Sequence, residues 1–263
     1  VGSGSRAMNV THIGGPTTLI EVGGWRVLTD PTFDPPGGHY AFGWGTSSNK
    51  VAGPAVPATE LGPLDLVLLT HDQHADNLDA AGRALLPTVP QVLTTRAAAT
   101  RLGGGGARGL RPGATHVLES RGRELLEVTA TPARHGPPMS RPIVGEVVGF
   151  LLRCAGTTVW ITGDTVLHRR LRRAIRDVQV DVMIVHVGGV RFRQTGPVRY
   201  TLTGRRAVDL VRLAHPRIAV PVHYEGWTHF ADGPAGLKRA LDAAPDDVRA
   251  RIQRLPSGVR TAL

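Results

Sequence analysis

The run Leu64-Asp65-Leu66-Val67-Leu68-Leu69-Thr70 is apolar almost without interruption and leads directly into His71. A strand with one wet face alternates apolar and polar residues, whereas a continuous apolar run is buried on both faces. A chain built around such a strand needs a packed layer on each side of it. The rest of the sequence supplies those layers. Met8 to Ile13, Thr17 to Val22 and Trp25 to Thr29 read as strands, with Gly23-Gly24 as a hairpin turn. Val92 to Thr95, Leu125 to Ala130, Val147 to Arg153, Thr158 to Thr162, Val182 to Val187 and Ile218 to Val222 read as further strands. Helices are expected at Leu78 to Leu86, Arg96 to Leu102, Val166 to Arg176 and Thr203 to Leu213, with two short ones around Pro234 to Leu241 and Asp246 to Ile252. Strands come first and then alternate with helices, twice over. That order predicts an α/β protein in which two sheets pack together with helices on the outside.

Residues 8–263 show no composition break and are expected to form a single domain. The start, Val1-Gly2-Ser3-Gly4-Ser5-Arg6-Ala7, reads as an expression-tag remnant ahead of Met8. Residues 31–63 are rich in Gly, Pro and Ser, and a loop of that length is usually functional or mobile. Phe42 and Trp44 within it are candidates for a lid.

Apolar residues make up 41% and charged residues 20%, which places the chain with soluble globular proteins. No apolar run approaches the roughly 20 residues of a membrane helix. One cysteine, Cys154, makes no internal disulfide; it is expected as a small buried hydrophobe on a strand, with the cytoplasm as the compartment. The formal charge is +10, nearly all of it from arginine, since only Lys50 and Lys238 are lysines. This surplus would suit an anionic small-molecule substrate. Because the arginines are dispersed, nucleic acid is not expected as a partner. The densest group, Arg169, Arg170, Arg172, Arg173 and Arg176, reads as the solvated face of a helix. Homo-oligomerisation is left open.

The chemistry concentrates at Thr70-His71-Asp72-Gln73-His74-Ala75-Asp76-Asn77-Leu78-Asp79. Neutral imidazoles and carboxylates are the ligands that zinc and related cations take. Taken alone, the run reads equally well as a polar turn capping a helix, with Asp76 or Asn77 as the cap. His135, Asp164, His186 and His223 then recur at or just after the ends of four separate strands. In layered α/β folds, active-site groups gather at strand ends, and so many chemistry-bearing residues there point to a metal site.

This arrangement resembles the metallo-β-lactamase superfamily, in particular the branch similar to ascorbate-6-phosphate lactonase and the N-acyl phosphatidylethanolamine phospholipase D enzymes. The resemblance rests on Leu28-Thr29-Asp30-Pro31, the loop from Leu69 to Asp79, His135, the Gly163-Asp164-Thr165 turn and Pro221-Val222-His223. It implies an αββα sandwich of two mixed sheets with the site at one edge between them. It also implies a first metal site of His71, His74 and His135, a second of Asp76 and His223, and Asp164 as the bridge. One or two zinc ions are expected, with manganese as an alternative.

The chain departs from the family's loop in two respects. One residue is inserted, so that either His71 or Asp72 fills the first ligand position. Asn77 stands where the family has its final His, and an amide oxygen is a weak ligand for zinc. The implied activity is hydrolysis of an ester-type bond in a lactone, phosphodiester or phosphorylated sugar by a metal-bound hydroxide. Asp76 and His186 are the candidate catalytic groups: Asp76 to orient water, His186 to donate to a developing oxyanion or leaving group. Asn77, Asp72 and Asp30 are candidates for a second or supporting role, and Tyr224, Glu225, Trp227 and His229 for substrate contact. Two other readings stay open: a nuclease or nucleotide phosphodiesterase on the same fold, and a non-catalytic binding protein with a decayed site.

Overall fold

The computed structural model describes residues 8–104 and 106–263, so the tag remnant expected at residues 1–7 lies outside the described residues. β1 (Asn9–Gly14), β2 (Thr17–Val22) and β3 (Trp25–Thr29) form an antiparallel meander. Gly23 and Gly24 turn the hairpin at positive φ, as expected. The stretch 31–63 is not a plain loop. It carries a hairpin of β4 (His39–Gly43) and β5 (Thr46–Asn49), which forms a small sheet of its own. The first large sheet then continues through β6 (Leu66–Leu68), helix α1 (Ala80–Leu85), β7 (Gln91–Thr95), α2 (Arg96–Leu102) and β8 (Ala107–Leu110). From β3 onward its neighbours are parallel.

The second sheet opens with β9 (Thr115–Leu118) and β10 (Leu126–Pro132), followed by α3 (Arg141–Val144), β11 (Val148–Cys154) and β12 (Thr157–Ile161). Next come α4 (Arg169–Ile175), β13 (Val182–His186), α5 (Gly204–Ala214) and β14 (Ile218–Val222). After α6 (Gly233–Asp242) and α7 (Asp246–Arg249), β15 (Thr261–Ala262) returns to the first sheet beside β1. The strand orders are β15-β1-β2-β3-β6-β7-β8 and β14-β13-β12-β11-β10-β9, a pair of mixed sheets.

The period of two along each strand decides which layer a side chain joins. Leu66 and Leu68 point into the core between the sheets, where they join Leu126, Val128, Phe150 and Ile184. Val67 and Leu69 point the other way, onto Leu78, Leu86 and Val92 beneath the first helical layer. On β13, Val182 and Ile184 face inward, while Met183 and Val185 pack with Leu171, Leu210, Val211 and Leu237 under α4, α5 and α6. This is the αββα sandwich. Each fully buried side chain of this size contributes about 1.5–3 kcal/mol. The arginines of α4 face solvent while Leu171 and Ile175 are buried, as the sequence implies. Cys154 is buried on β11, and burial pushes its thiol up to about 11, which removes it as a nucleophile at neutral pH.

Several boundaries differ from expectation. The helix expected from Val166 begins only at Arg169, because the side chain of His168 accepts the Leu171 amide as its cap. Neither Asp76 nor Asn77 caps the helix after the His/Asp run. Asp79 does, accepting the Gly82 amide at 2.8 Å. Gly82 lets α1 press against the chain after β3: a Cβ there would lie 1.9 Å from the Pro31 carbonyl oxygen. Gly82→Ala should therefore destabilise the protein, although alanine gains roughly 1 kcal/mol of helix propensity. A melting temperature equal to or above the parent's would refute this.

Candidate metal centre

The parity that builds the core also aims the site. His186 shares the register of Ile184 and so turns into the space between the sheets. His223 follows Val222 at φ 59°, a left-handed conformation that bends the chain at the end of β14. Asp30, at the end of β3, is left-handed as well, at φ 35°. Non-glycine residues in this region cost roughly 1–3 kcal/mol and persist only where other contacts over-determine them. The His223 amide donates to Gly15 O at 2.7 Å, and Asp30 Oδ1 accepts the Thr70 amide at 2.7 Å. Strand ends from both sheets are thus tied to one place.

After Thr70 the chain turns tightly: the amides of Asn77 and Leu78 both donate to His74 O. The turn absorbs the inserted residue. It gathers His71, His74, Asp76 and Asn77 and turns Asp72 the other way, buried and paired through both carboxylate oxygens with Arg101. His71 rather than Asp72 thus lies with His74 and His135, and Asp72 anchors the loop to α2.

Two buried clusters result: His71, His74 and His135, and Asp76, Asp164 and His223. Within each, the candidate ligand atoms lie within 4.8 Å of one another. His74 Nδ1 is 3.1 Å from both His71 Nε2 and His135 Nε2. His135 Nδ1 sits 2.9 Å from the Tyr200 carbonyl oxygen, which only accepts, so Nδ1 carries a proton and Nε2 faces the cluster. In the second cluster, His223 Nε2 lies 3.1 Å from Asp76 Oδ2 and 3.5 Å from Asp164 Oδ2. Asp164 Oδ2 is also 3.9 Å from His135 Nε2, which places it between the clusters. Asn77 Nδ2 donates to Asp164 Oδ2 at 3.3 Å, and its Oδ1 is buried without a hydrogen-bond partner.

Electrostatics separates the two groups. Burial, reinforced by the neighbouring histidines, holds His71 well below the ordinary imidazole range and His74 down to about 3. Both are neutral at pH 7 and ready to bind a cation. Burial also disfavours charge on His223, but the Asp164 and Asp76 carboxylates outweigh it and push it up to about 9. Burial acts to raise Asp76, yet hydrogen bonds from His223 and His229 hold its carboxyl well below the usual range. Asp76 Oδ1 and Asp164 Oδ1 are buried with no hydrogen-bond donor. A buried carboxylate oxygen without a partner is costly. Converging nitrogen lone pairs beside two such oxygens are a donor set that fits divalent cations.

The other expected residues divide. His229, on the loop after β14, enters the site, with Nε2 2.9 Å from Asp76 Oδ2. Trp227 is buried behind it in an aromatic group with Tyr40 and Phe42. Tyr224 packs among the apolar side chains beneath the helices, and Glu225 lines a separate cleft near His12. Neither reaches the metal clusters, because successive residues after His223 leave in different directions. His186 is fully buried and does not line the cleft. Its Nε2 contacts Asp30 Oδ2 at 3.2 Å, behind His223. The residue expected as a proton donor instead joins the ends of β13 and β3 through Asp30, which takes the supporting place allowed for it.

The clusters open into a cleft whose walls include Phe42, Trp44, Ile143, Val190, Phe192 and Tyr200. Phe42 and Trp44, flagged as a lid, do lie over the site, and Phe42 packs on His74 and His229. Phe192 and Tyr200 were missed. Their one signal was position, in the segment that follows the His186 strand end through Gly188-Gly189.

A family model described as the beta-lactamase superfamily domain matches residues 25–224, a span that runs from β3 past His223. The chain belongs to the metallo-β-lactamase superfamily. It is a metal-dependent hydrolase, and its relatives carry that description. A UPF0173 metal-dependent hydrolase of Methanoregula boonei is 30% identical over 186 residues, 69% of this chain and 76% of that one. Another from Pyrococcus furiosus is 26% identical over 239 residues, 89% of this chain and 92% of that one. Among solved structures, a possible metal-dependent hydrolase from Veillonella parvula superposes with a TM-score of 0.79 at 18% identity, covering 97% of this chain and 99% of that one.

Metal binding to this hydrolase should depend on pH in two ways. Cation uptake by the cluster of His71, His74 and His135 should vary little between pH 7 and 9, because burial already keeps His71 and His74 neutral. Uptake by Asp76, Asp164 and His223 displaces the proton held on His223, so its affinity should rise about tenfold per pH unit and level off near pH 9. Competitive titration against a chelating dye across that range measures both; equal slopes at the two sites would contradict the assignment.

Proposed function

We propose that this hydrolase cleaves an ester-type bond, of a lactone or phosphodiester, in a small substrate that places an apolar group in the aromatic cleft. The observation that carries this reading is the pairing of two buried His/Asp clusters with a cleft walled by aromatic and aliphatic side chains. The resemblance to the lactonase and phospholipase branch supports the choice of bond. Among the described residues no lysine or arginine lines the cleft, so the anionic substrate that the net charge suggested has no protein cation to meet it there. The same fact speaks against a nuclease, which needs a basic groove at the site. No helix among the described residues is long and apolar enough to cross a membrane. The lone cysteine keeps the cytoplasm as the proposed compartment.

In this reading His71, His74 and His135 hold a first cation, Asp76 and His223 hold a second, and Asp164 lies between them. The nitrogen-rich first set suits zinc, and the more oxygen-rich second also admits manganese. When bound, zinc lowers the pKa of its water to about 7 and polarises the substrate's oxygen. Asp76, kept ionised by its imidazole neighbours, accepts a hydrogen bond from the attacking water and orients it. Phe42 and Phe192 exclude solvent and seat the apolar group. The Asp30–His186 pair fixes the backbone from which His223 projects.

The test is turnover of nitrophenyl esters, simple lactones and bis(nitrophenyl) phosphate by zinc-loaded protein. Expected is hydrolysis of at least one class, abolished by chelator and restored by zinc. Phe192→Ala should raise KM about tenfold with little change in kcat, the loss of roughly 1.5 kcal/mol of aromatic contact. A fully metal-loaded protein inert to all three classes would overturn the choice of bond.

A further inference from the structure

We propose that His229 is a ligand of the second cation. This inference rests on the reading above, and it changes the donor set from Asp76, Asp164 and His223 to those three and His229. His229 is 5% exposed and borders the cleft, with Nε2 2.9 Å from the same Asp76 oxygen that His223 Nε2 approaches at 3.1 Å. Two imidazole nitrogens therefore converge on one carboxylate whose other oxygen, Oδ1, has no donor.

The far side of the ring offers Nδ1 a hydrogen-bond acceptor. His229 Nδ1 lies 2.6 Å from Ser48 Oγ, and Ser48 Oγ lies 3.1 Å from Thr228 Oγ1. When the serine hydroxyl donates to Thr228, Ser48 accepts the Nδ1 proton. With its proton on Nδ1, the ring turns the Nε2 lone pair toward a cation beside Asp76. A cation in contact with both would take the place of the hydrogen bond that joins Nε2 to Asp76 Oδ2 at 2.9 Å, leaving a metal ligand backed by a hydrogen-bond acceptor. The ring is also held in place, stacked on Phe192 at 5.2 Å with an interplanar angle of 6° and packed against Phe42 and Phe230. Asn77, meanwhile, spends its amide nitrogen on Asp164 and supplies no nitrogen lone pair to the cluster. His229 provides the second nitrogen. It gives the β4–β5 hairpin a further role, since Ser48 of that hairpin sets the ligand's orientation.

Metal per chain, measured by mass spectrometry on zinc-loaded and desalted protein, decides the matter. The parent should hold two zinc ions and His229→Ala one. Asn77→His in the His229→Ala background should return the count to two, because a ring at position 77 starts beside Asp164. Ser48→Ala should keep the ligand but weaken the second site about 10- to 100-fold in a chelator titration. A His229→Ala protein that retains two zinc ions at parental affinity overturns the proposal and leaves His229 as a substrate contact. A parent with a single zinc ion, unchanged in His229→Ala and lost in His74→Ala, overturns it too but leaves the hydrolase reading intact. A parent that binds no metal overturns the hydrolase reading itself.

Discussion

His74→Ala should release the first cation and lower kcat by about 10³-fold, the equivalent of roughly 4 kcal/mol of lost transition-state stabilisation. The reason is geometric. His74 Nδ1 stands between His71 Nε2 and His135 Nε2, 3.1 Å from each, so its removal leaves two imidazoles and no third donor. Asp164 cannot replace it, because its Oδ2 is 3.9 Å from His135 Nε2 and already faces His223. The variant should fold: in the presence of chelator it should melt close to the parent, since His74 is buried as a neutral ring and leaves no stranded charge. Metal content, kcat on the best ester or lactone, and melting with and without chelator are the measurements. A variant that keeps its metal and its rate would remove the first cluster from the chemistry.

The layered fold was legible because buried strands announce themselves. Leu66 to Leu68 and Val182 to His186 are apolar on both faces, and that pattern has few readings besides a sheet covered on each side. The strands that escaped notice were short or polar. Ala107–Leu110 and Thr115–Leu118 are edge strands with exposed positions. The β4–β5 hairpin lies among glycines, prolines and serines, and its alternation runs over only a few half-exposed residues. The metal-type clusters were legible for a different reason: one strand-end histidine or aspartate is usually structural, as His186 and Asp30 are, but their recurrence at several strand ends is not. The cleft was not. Phe192 and Tyr200 reach it from a loop and Ser48 backs His229 from a short hairpin, along paths that depend on packing and that no local pattern in the sequence encodes. Tyr224 and Glu225 show the converse, since adjacency to His223 says nothing about direction once the chain has left β14. His186 obeyed the rule for a strand end, yet the period of two turned it toward Asp30 rather than toward the cleft.

Asp79→Ala should lower stability by about 3–5 kcal/mol, the cost of leaving a buried charge without its partner. For a chain of this size that corresponds to a drop of roughly 6–20 °C in melting temperature. Asp79 closes the run that begins at His71, but its work is structural. Its carboxylate accepts from Lys50 Nζ at 2.7 Å and from the amides of Phe33, Asp34 and Gly82 at 2.9, 2.7 and 2.8 Å. Lys50 is 3% exposed, so its ammonium has no water to fall back on. One residue thereby ties the start of α1, the chain beyond β3 and the end of the β4–β5 hairpin. Lys50→Met provides the contrast: Asp79 would keep three backbone donors, and the loss should be smaller than in Asp79→Ala. Equal losses would mean that the ion pair alone matters and the amide contacts do not. Because the hairpin carries Phe42 over His74 and Ser48 beneath His229, Asp79→Ala should also weaken metal retention at temperatures where the protein is still folded. Lys50→Met should do so less, in the same order as the melting temperatures.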